Sequence, residues 1–119
     1  MSALASTIAQ LLAPLRCKAR DELVLQDLIA EMLAREEIPF EREVRLSAHD
    51  RIDFLCESIG VEVKVDGSLA EVTRQLHRYA QSDRVSELLL VTTRSRHKPM
   101  PPAFAGKPIR VLHLVGGAF

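Results

Sequence analysis

At 119 residues the chain has room for one domain and one core. A domain of that size buries roughly two-thirds of the surface its unfolded chain exposes, enough to fold without disulfides or a structural metal. With 47% hydrophobic and 27% charged residues, no internal repeat and no low-complexity tract, the sequence excludes the disordered and fibrous classes.

No stretch reaches the ~18 apolar residues of a membrane span. The N-terminal apolar segment lacks the basic run that precedes a signal sequence's apolar stretch. Cys17 and Cys56 stand in neither metal-ligand nor redox spacing. A cytoplasmic protein with reduced thiols is therefore expected, with no membrane partner and no small-molecule cofactor. Net charge is zero but unevenly divided: residues 1–59 carry 7 basic against 11 acidic side chains, and residues 60–119 carry 9 against 5. Such asymmetry permits a basic face beside an acidic pocket, and hence a nucleic-acid partner; charges scattered over a solvated surface are the plain alternative.

In chain order, Leu4, Ile8, Leu11, Leu12 and Leu15 recur at helical spacing until Pro14 interrupts, which makes residues 1–18 a helical extension. A second helix is expected over 20–36, with the stripe Leu25, Leu28, Ile29, Met32 and Leu33, and Asp21 and Glu22 near its positive end. The Ile38-Pro39 step stops it. Three extended segments follow, at 41–46, 51–56 and 61–65. Alternation puts Ile52, Phe54 and Cys56 on one face of the second and Arg51, Asp53 and Leu55 on the other; in the third, Val61, Val63 and Val65 stand opposite Glu62 and Lys64. Ser68 and Glu71 form a capping box that opens a helix over 69–81. The apolar run 88–91 reads as a buried central strand. Residues 94–108 read as a basic, proline-rich loop, residues 109–115 as a last strand, and Gly116-Gly117 closes the ordered chain.

The three extended segments can form an antiparallel meander, and the following helix carries the chain to a parallel fourth strand. The expected architecture is thus α/β with a mixed sheet flanked by helices, in the order αβββαβ plus a last strand. Residues 21–93 form the core of a single domain.

On the hairpin from Arg51 to Val65, pairing places Asp53 directly across from Glu62 or Lys64 and diagonal to the other, at ~5 Å and ~7–8 Å between Cβ atoms. Two carboxylates at that spacing repel when both are ionised. A hard dication such as Mg²⁺ removes the conflict, makes its bound water more acidic and neutralises charge on a phosphoryl oxygen. The same charges also admit an exposed cross-strand ion pair worth ~1 kcal/mol at most.

Asp53, eight residues, then Glu62-Val63-Lys64, in the setting Arg51-Ile52-Asp53-Phe54 … Gly60-Val61-Glu62-Val63-Lys64, resembles the PD-(D/E)xK superfamily of restriction-endonuclease-like nucleases. Ile52 stands where the family name has proline. Gln75-Leu76-His77-Arg78-Tyr79 is similar to the Gln-x-x-x-Tyr motif of the exonuclease-like and some small stand-alone phage or prophage branches. The resemblance spans roughly residues 21–93 and implies a restriction-endonuclease-like core that hydrolyses phosphodiester bonds in DNA by direct attack of metal-activated water. It implies that Asp53, Glu62 and the Val63 carbonyl bind Mg²⁺ or Mn²⁺, with Glu22 as an outer ligand. Lys64 would activate the water or stabilise the phosphate, and Gln75 and Tyr79 would steady the Lys64 side or the DNA backbone.

Glu22 is equally explained by the helix dipole, and Tyr79 by a helix-to-core contact. Arg74, Arg78 and Arg84, with Arg94, Arg96, His97 and Lys98, form a candidate phosphate-binding rim; solvation explains so polar a loop as well. His49, His77, His97 and His113 show no metal spacing, and His77 is expected at the surface. Two further readings stay open. One is a junction-resolving homodimer, with the N-terminal helical stripe either at the dimer contact or on its own domain. The other is a non-catalytic DNA-binding or assembly subunit on the same fold.

Overall fold

The apolar periodicity of the first part of the chain makes two helices, α1 (Ala3–Leu12) and α2 (Glu22–Arg35). The computed structural model describes residues 2–17 and 20–115, so the Gly116-Gly117 close lies outside the described residues. Ser2 caps α1 by accepting the Ala5 N–H, while its own amide and hydroxyl donate to the Glu87 carboxylate at 2.6 and 2.8 Å. That ties the helix to the start of a central strand. The α1 stripe Ala5, Ile8, Ala9 and Leu12 is buried in the domain's own core, so intramolecular packing accounts for it without a dimer contact.

The strands are β1 (Glu41–Arg45), β2 (Arg51–Cys56), β3 (Ile59–Lys64), β4 (Glu87–Thr92), β5 (Ala103–Phe104) and β6 (Lys107–His113), with α3 (Leu69–Tyr79) between β3 and β4. They form one sheet in the order β1-β2-β3-β4-β6-β5. The β1-β2-β3 part is an antiparallel meander, β4 runs parallel to β3, and β6 runs parallel to β4. The protein is therefore an α/β layer structure with a six-stranded mixed sheet. One side of the sheet packs Phe54, Val61, Val63 and Val91 against α1 and α2; the other packs Ile52, Leu55, Leu88 and Leu90 against Val72, Leu76 and Tyr79 of α3. Every residue of β4 is buried, which is why its run is continuously apolar.

Three features depart from the sequence reading. Residues 94–108 contain a 3-10 turn at Ser95–His97 and the short strand β5, and the last strand begins at Lys107, not at residue 109. The cause is a two-residue turn: Ala105 (φ 52°) and Gly106 (φ 75°) both lie in the left-handed region, the geometry that suits a tight hairpin. An alanine at the first of these positions gives no warning of it. The expected faces of β2 also fail. Ile52 shares the α3 side with Leu55, while Phe54 and Cys56 face α1 and α2. The strand is distorted between Ile52 and Phe54, at Asp53, and opposite it Glu43 of β1 takes φ 57°.

Gly60 shows how closely the hairpin is packed: a Cβ there would stand 2.5 Å from Ile52 Cδ1 and 3.0 Å from Leu88 Cδ2, both on buried side chains. Gly60→Ala should therefore destabilise the fold by about 1–3 kcal/mol through overpacking, read as a lower urea midpoint with an unchanged slope. An unshifted midpoint would show that Ile52 has room to move aside.

Candidate active site

The site grows from a fault in the β2–β3 ladder. From the turn up to Phe54↔Val61 the two strands pair through their backbones. One residue further, where Asp53 faces Glu62, side chains take over. Asp53 Oδ2 accepts the Val63 N–H at 2.8 Å, and the Asp53 N–H donates to Glu62 Oε1 at 3.1 Å. The Asp53 carboxylate thus sits in the gap between the strands and not squarely on one face. In an antiparallel pair the N–H and C=O of a residue address the same neighbour, so the Val63 carbonyl is turned toward this opening as well.

Glu62 projects from β3 toward α3 and is buried, with 3% of its surface exposed. Its Oε2 lies 3.1 Å from the Tyr79 hydroxyl and 3.6 Å from Lys64 Nζ. Tyr79 is itself buried, accepts from Gln75 Nε2 at 2.8 Å, and faces a second acceptor, the Arg51 carbonyl, at 3.0 Å. Gln75 therefore acts on Tyr79, and Tyr79 on Glu62 and β2. These contacts run to the carboxylate, whereas the sequence motif suggested the lysine or a DNA strand. Glu22, at the start of α2, enters from the opposite side of the sheet, near enough to feel the charges of Asp53 and Lys64.

Electrostatically this is a cluster of reluctant acids. Burial, then the negative charge of Asp53, pushes the Glu62 carboxyl up to about 8, against the pull of Lys64. Burial likewise raises Asp53, opposed by the Val63 N–H, the shared hydrogen bond with Glu62, and Lys64. Glu22 is raised by burial and by Asp53. Burial first, with Glu62 second, pushes the Tyr79 phenol far above its usual range, so it remains a protonated donor. Among the described residues no group of three or more carboxylates, imidazoles and thiolates is arranged to hold a metal by itself. What the hairpin offers is two carboxylates with a backbone carbonyl turned toward them, a donor set of the hard-oxygen kind.

Beside Lys64 opens a cleft of about 370 Å³, lined by the turn Asp66–Gly67 and by Glu71, Arg74, Gln75 and Arg78 of α3. The expected basic rim divides in two. Arg74 and Arg78 line the cleft, Arg78 also bonding Asp50 at 3.0 Å. Arg94 and Arg96 brace the turn after β3 instead: Arg94 Nε donates to the Val65 carbonyl at 2.7 Å, and Arg96 bonds the Gly67 carbonyl and Asp66. Lys98 is exposed on the same loop. Arg84 precedes β4, at the end of the sheet away from Lys64, and pairs with Glu41. His77 is exposed, as its spacing implies, and stands edge-on to Phe104.

The sequence reading put His97 in the phosphate-binding rim, and the structure withdraws it from there. It is fully buried, with Nε2 2.8 Å from the Gly67 carbonyl and Nδ1 2.7 Å from the Thr92 hydroxyl. A carbonyl only accepts, so Nε2 carries the proton and Nδ1 accepts from Thr92. This imidazole locks the end of β4 to the turn that follows Lys64. Only the solitary histidine amid a basic run hinted at it.

Comparison with protein-family models, with curated proteins and with solved structures finds no match to this chain. The assignment of function therefore rests on the site's own chemistry.

Because folding raises Glu62 from an ordinary 4.5 to about 8, the native state keeps a proton that the unfolded chain releases between those values. Metal-free stability should fall as pH rises through that window. Glu62→Gln should flatten the slope, measured by thermal unfolding across the window. A slope as steep as that of the unaltered protein would place the responsible proton elsewhere.

Proposed function

We propose that the protein is a metal-dependent nuclease of the restriction-endonuclease-like kind, hydrolysing phosphodiester bonds in DNA. The observation that carries this reading is the opened end of the β2–β3 hairpin, where Asp53, Glu62 and the Val63 backbone converge within reach of Lys64. Two acids buried against each other, with a lysine as the nearby cation, are an unfavourable arrangement for stability alone. They suit a site where a hard dication and a phosphodiester meet. The order of α2, the meander, α3 and β4 also agrees with the family that the Asp53/Glu62/Lys64 motif resembles.

In this reading Asp53, Glu62 and the Val63 carbonyl would hold Mg²⁺ or Mn²⁺, with Glu22 as an outer contributor. When bound, the cation supplies charge neutralisation at the phosphate and a more acidic water. Lys64 would orient an attacking water and stabilise charge on the phosphate. Tyr79, held by Gln75, fixes the Glu62 carboxylate so that it need not reorganise. Arg74 and Arg78 receive the flanking backbone phosphates.

One observation favours a second reading, a charge cluster in a non-catalytic DNA-binding subunit: both Glu62 oxygens already have protein donors. A metal titration separates the two. A nuclease site gains thermal stability with Mg²⁺ or Mn²⁺ by mass action, and a closed ion pair does not.

The direct test is cleavage of linear, single-stranded, nicked and branched DNA with either cation. Lys64→Ala and Asp53→Asn should each lose about 100-fold or more while remaining folded. Gln75→Ala, acting through Tyr79, should lose less. Full activity in Lys64→Ala would overturn the mechanism.

A further inference from the structure

The α3 helix separates two hollows. On one side lies the polar cleft beside Lys64; on the other lies a second hollow of about 390 Å³, lined by Thr73, Arg74, His77, Arg78 and Phe104. Arg74 and Arg78, one turn apart, line both and form the ridge between them. The second hollow differs in character from the first. Its walls are the half-buried Phe104 ring, the His77 ring 5.1 Å from it, Thr73 and the two arginines. No carboxylate is among the residues that line it.

Phe104 stands here because of the Ala105-Gly106 turn, which folds β5 back along β6 and presents the ring at the edge of the sheet, over α3. A half-exposed ring in a hollow that Arg74 and Arg78 also line, next to a cleft that ends at Lys64, suits a ligand with a flat aromatic part and an anionic part joined at short range. Guanidinium and aromatic groups offer stacking surfaces to any base, and the same guanidinium groups attract the attached phosphate. A paired base cannot use such a hollow, since its faces are covered within the duplex stack.

We propose that this hollow is a base-binding pocket: it takes one unpaired nucleobase of a nucleic-acid strand, whose neighbouring phosphate crosses the Arg74/Arg78 ridge into the cleft at Lys64. The proposal deepens the nuclease reading and rests on it for the strand's direction toward Lys64. It names the substrate class as single-stranded or frayed nucleic acid. The complementarity is specific in sign: the lining offers positive charge and aromatic surface together, which an apolar peptide side chain would use only in part.

The test uses the full chain and a short fluorescent deoxythymidine oligonucleotide, beside the same strand with abasic sites, which keeps the phosphates and removes the bases. The unaltered protein should bind the intact strand about tenfold more tightly than the abasic one. Phe104→Ala should abolish that difference, and Phe104→Tyr should restore it; His77→Ala, on an exposed position of α3 outside the sheet, should reduce it. Equal affinity of the unaltered protein for both strands, or no binding of either, overturns the pocket, and so does Phe104→Ala with the difference intact. Cleavage with Mg²⁺ is followed in parallel. Base-dependent binding without cutting refutes the nuclease reading and leaves the pocket standing. Cutting without base dependence does the reverse.

Discussion

The arrangement depends on one exchange of partners, in which the Asp53 carboxylate takes a backbone N–H that the β2–β3 ladder would otherwise use. A carboxylate accepting from an amide makes a charge-assisted bond, stronger than the neutral pairing it replaces. Removing that carboxylate leaves the Val63 N–H without its acceptor, at a cost on the order of 1–3 kcal/mol if water cannot reach it. The exchange also explains the local irregularities together. The ladder stops at Phe54↔Val61, Ile52 slips to the α3 side, and the Glu43 backbone opposite adopts a left-handed conformation. A regular hairpin would have kept Val63's backbone paired and left no opening.

Two braces hold the opening in place, and they come from different parts of the chain. From α3, the Gln75–Tyr79 pair fixes Glu62 and the Arg51 carbonyl, so one phenol spans β2 and β3 where their own pairing lapses. From the end of β4, Thr92 and His97 fasten the Gly67 turn, with Arg96 sharing the Gly67 carbonyl and Arg94 bonding that of Val65. Thr92 completes the chain by accepting the Arg94 N–H at 3.0 Å while donating to the imidazole. Gly67 takes a φ of 95°, which glycine adopts without steric cost, and this turns the chain from β3 toward α3. Lys64 is thereby positioned from both sides, by β4 pairing along its own strand and by the latch immediately after it.

Most of the fold was legible in the sequence because its signals are periodic. Valines at every second position of β3, the apolar run of β4 and the capping box at Ser68 each have one plausible structural meaning, and the elements lie within a few residues of where those signals put them. The convergence of Asp53 on Glu62 was legible too, since a tight turn sets the register of a hairpin. What the pattern could not carry were departures from regularity. The slip at Ile52 follows from a side-chain hydrogen bond, which alternation does not encode. The β5–β6 turn uses alanine where asparagine or glycine would have announced it. Arg94 and Arg96 looked like free cations because charge runs are usually solvated; only the tertiary fold brings the carbonyls of 65 and 67 beneath them.

Arginines tied up by backbone carbonyls limit how the protein could hold a polyanion. A protein gripping duplex DNA by charge alone neutralises roughly six to ten phosphates. Here Arg94 and Arg96 are bound to the β3–α3 turn and Arg84 to Glu41, so much of the basic excess of the second half is already engaged. The cations directed at the cleft are Lys64, Arg74 and Arg78, and Asp66 and Glu71 share its walls with them. A track so short supplies little sequence-independent affinity, and the nearby acids weaken it further. Stacking does not depend on net charge and gains from each unpaired base that finds a surface. A chain with no net charge can therefore retain a strand at this site only where aromatic contact supplements a few phosphate contacts, the division of labour proposed for the two hollows flanking α3.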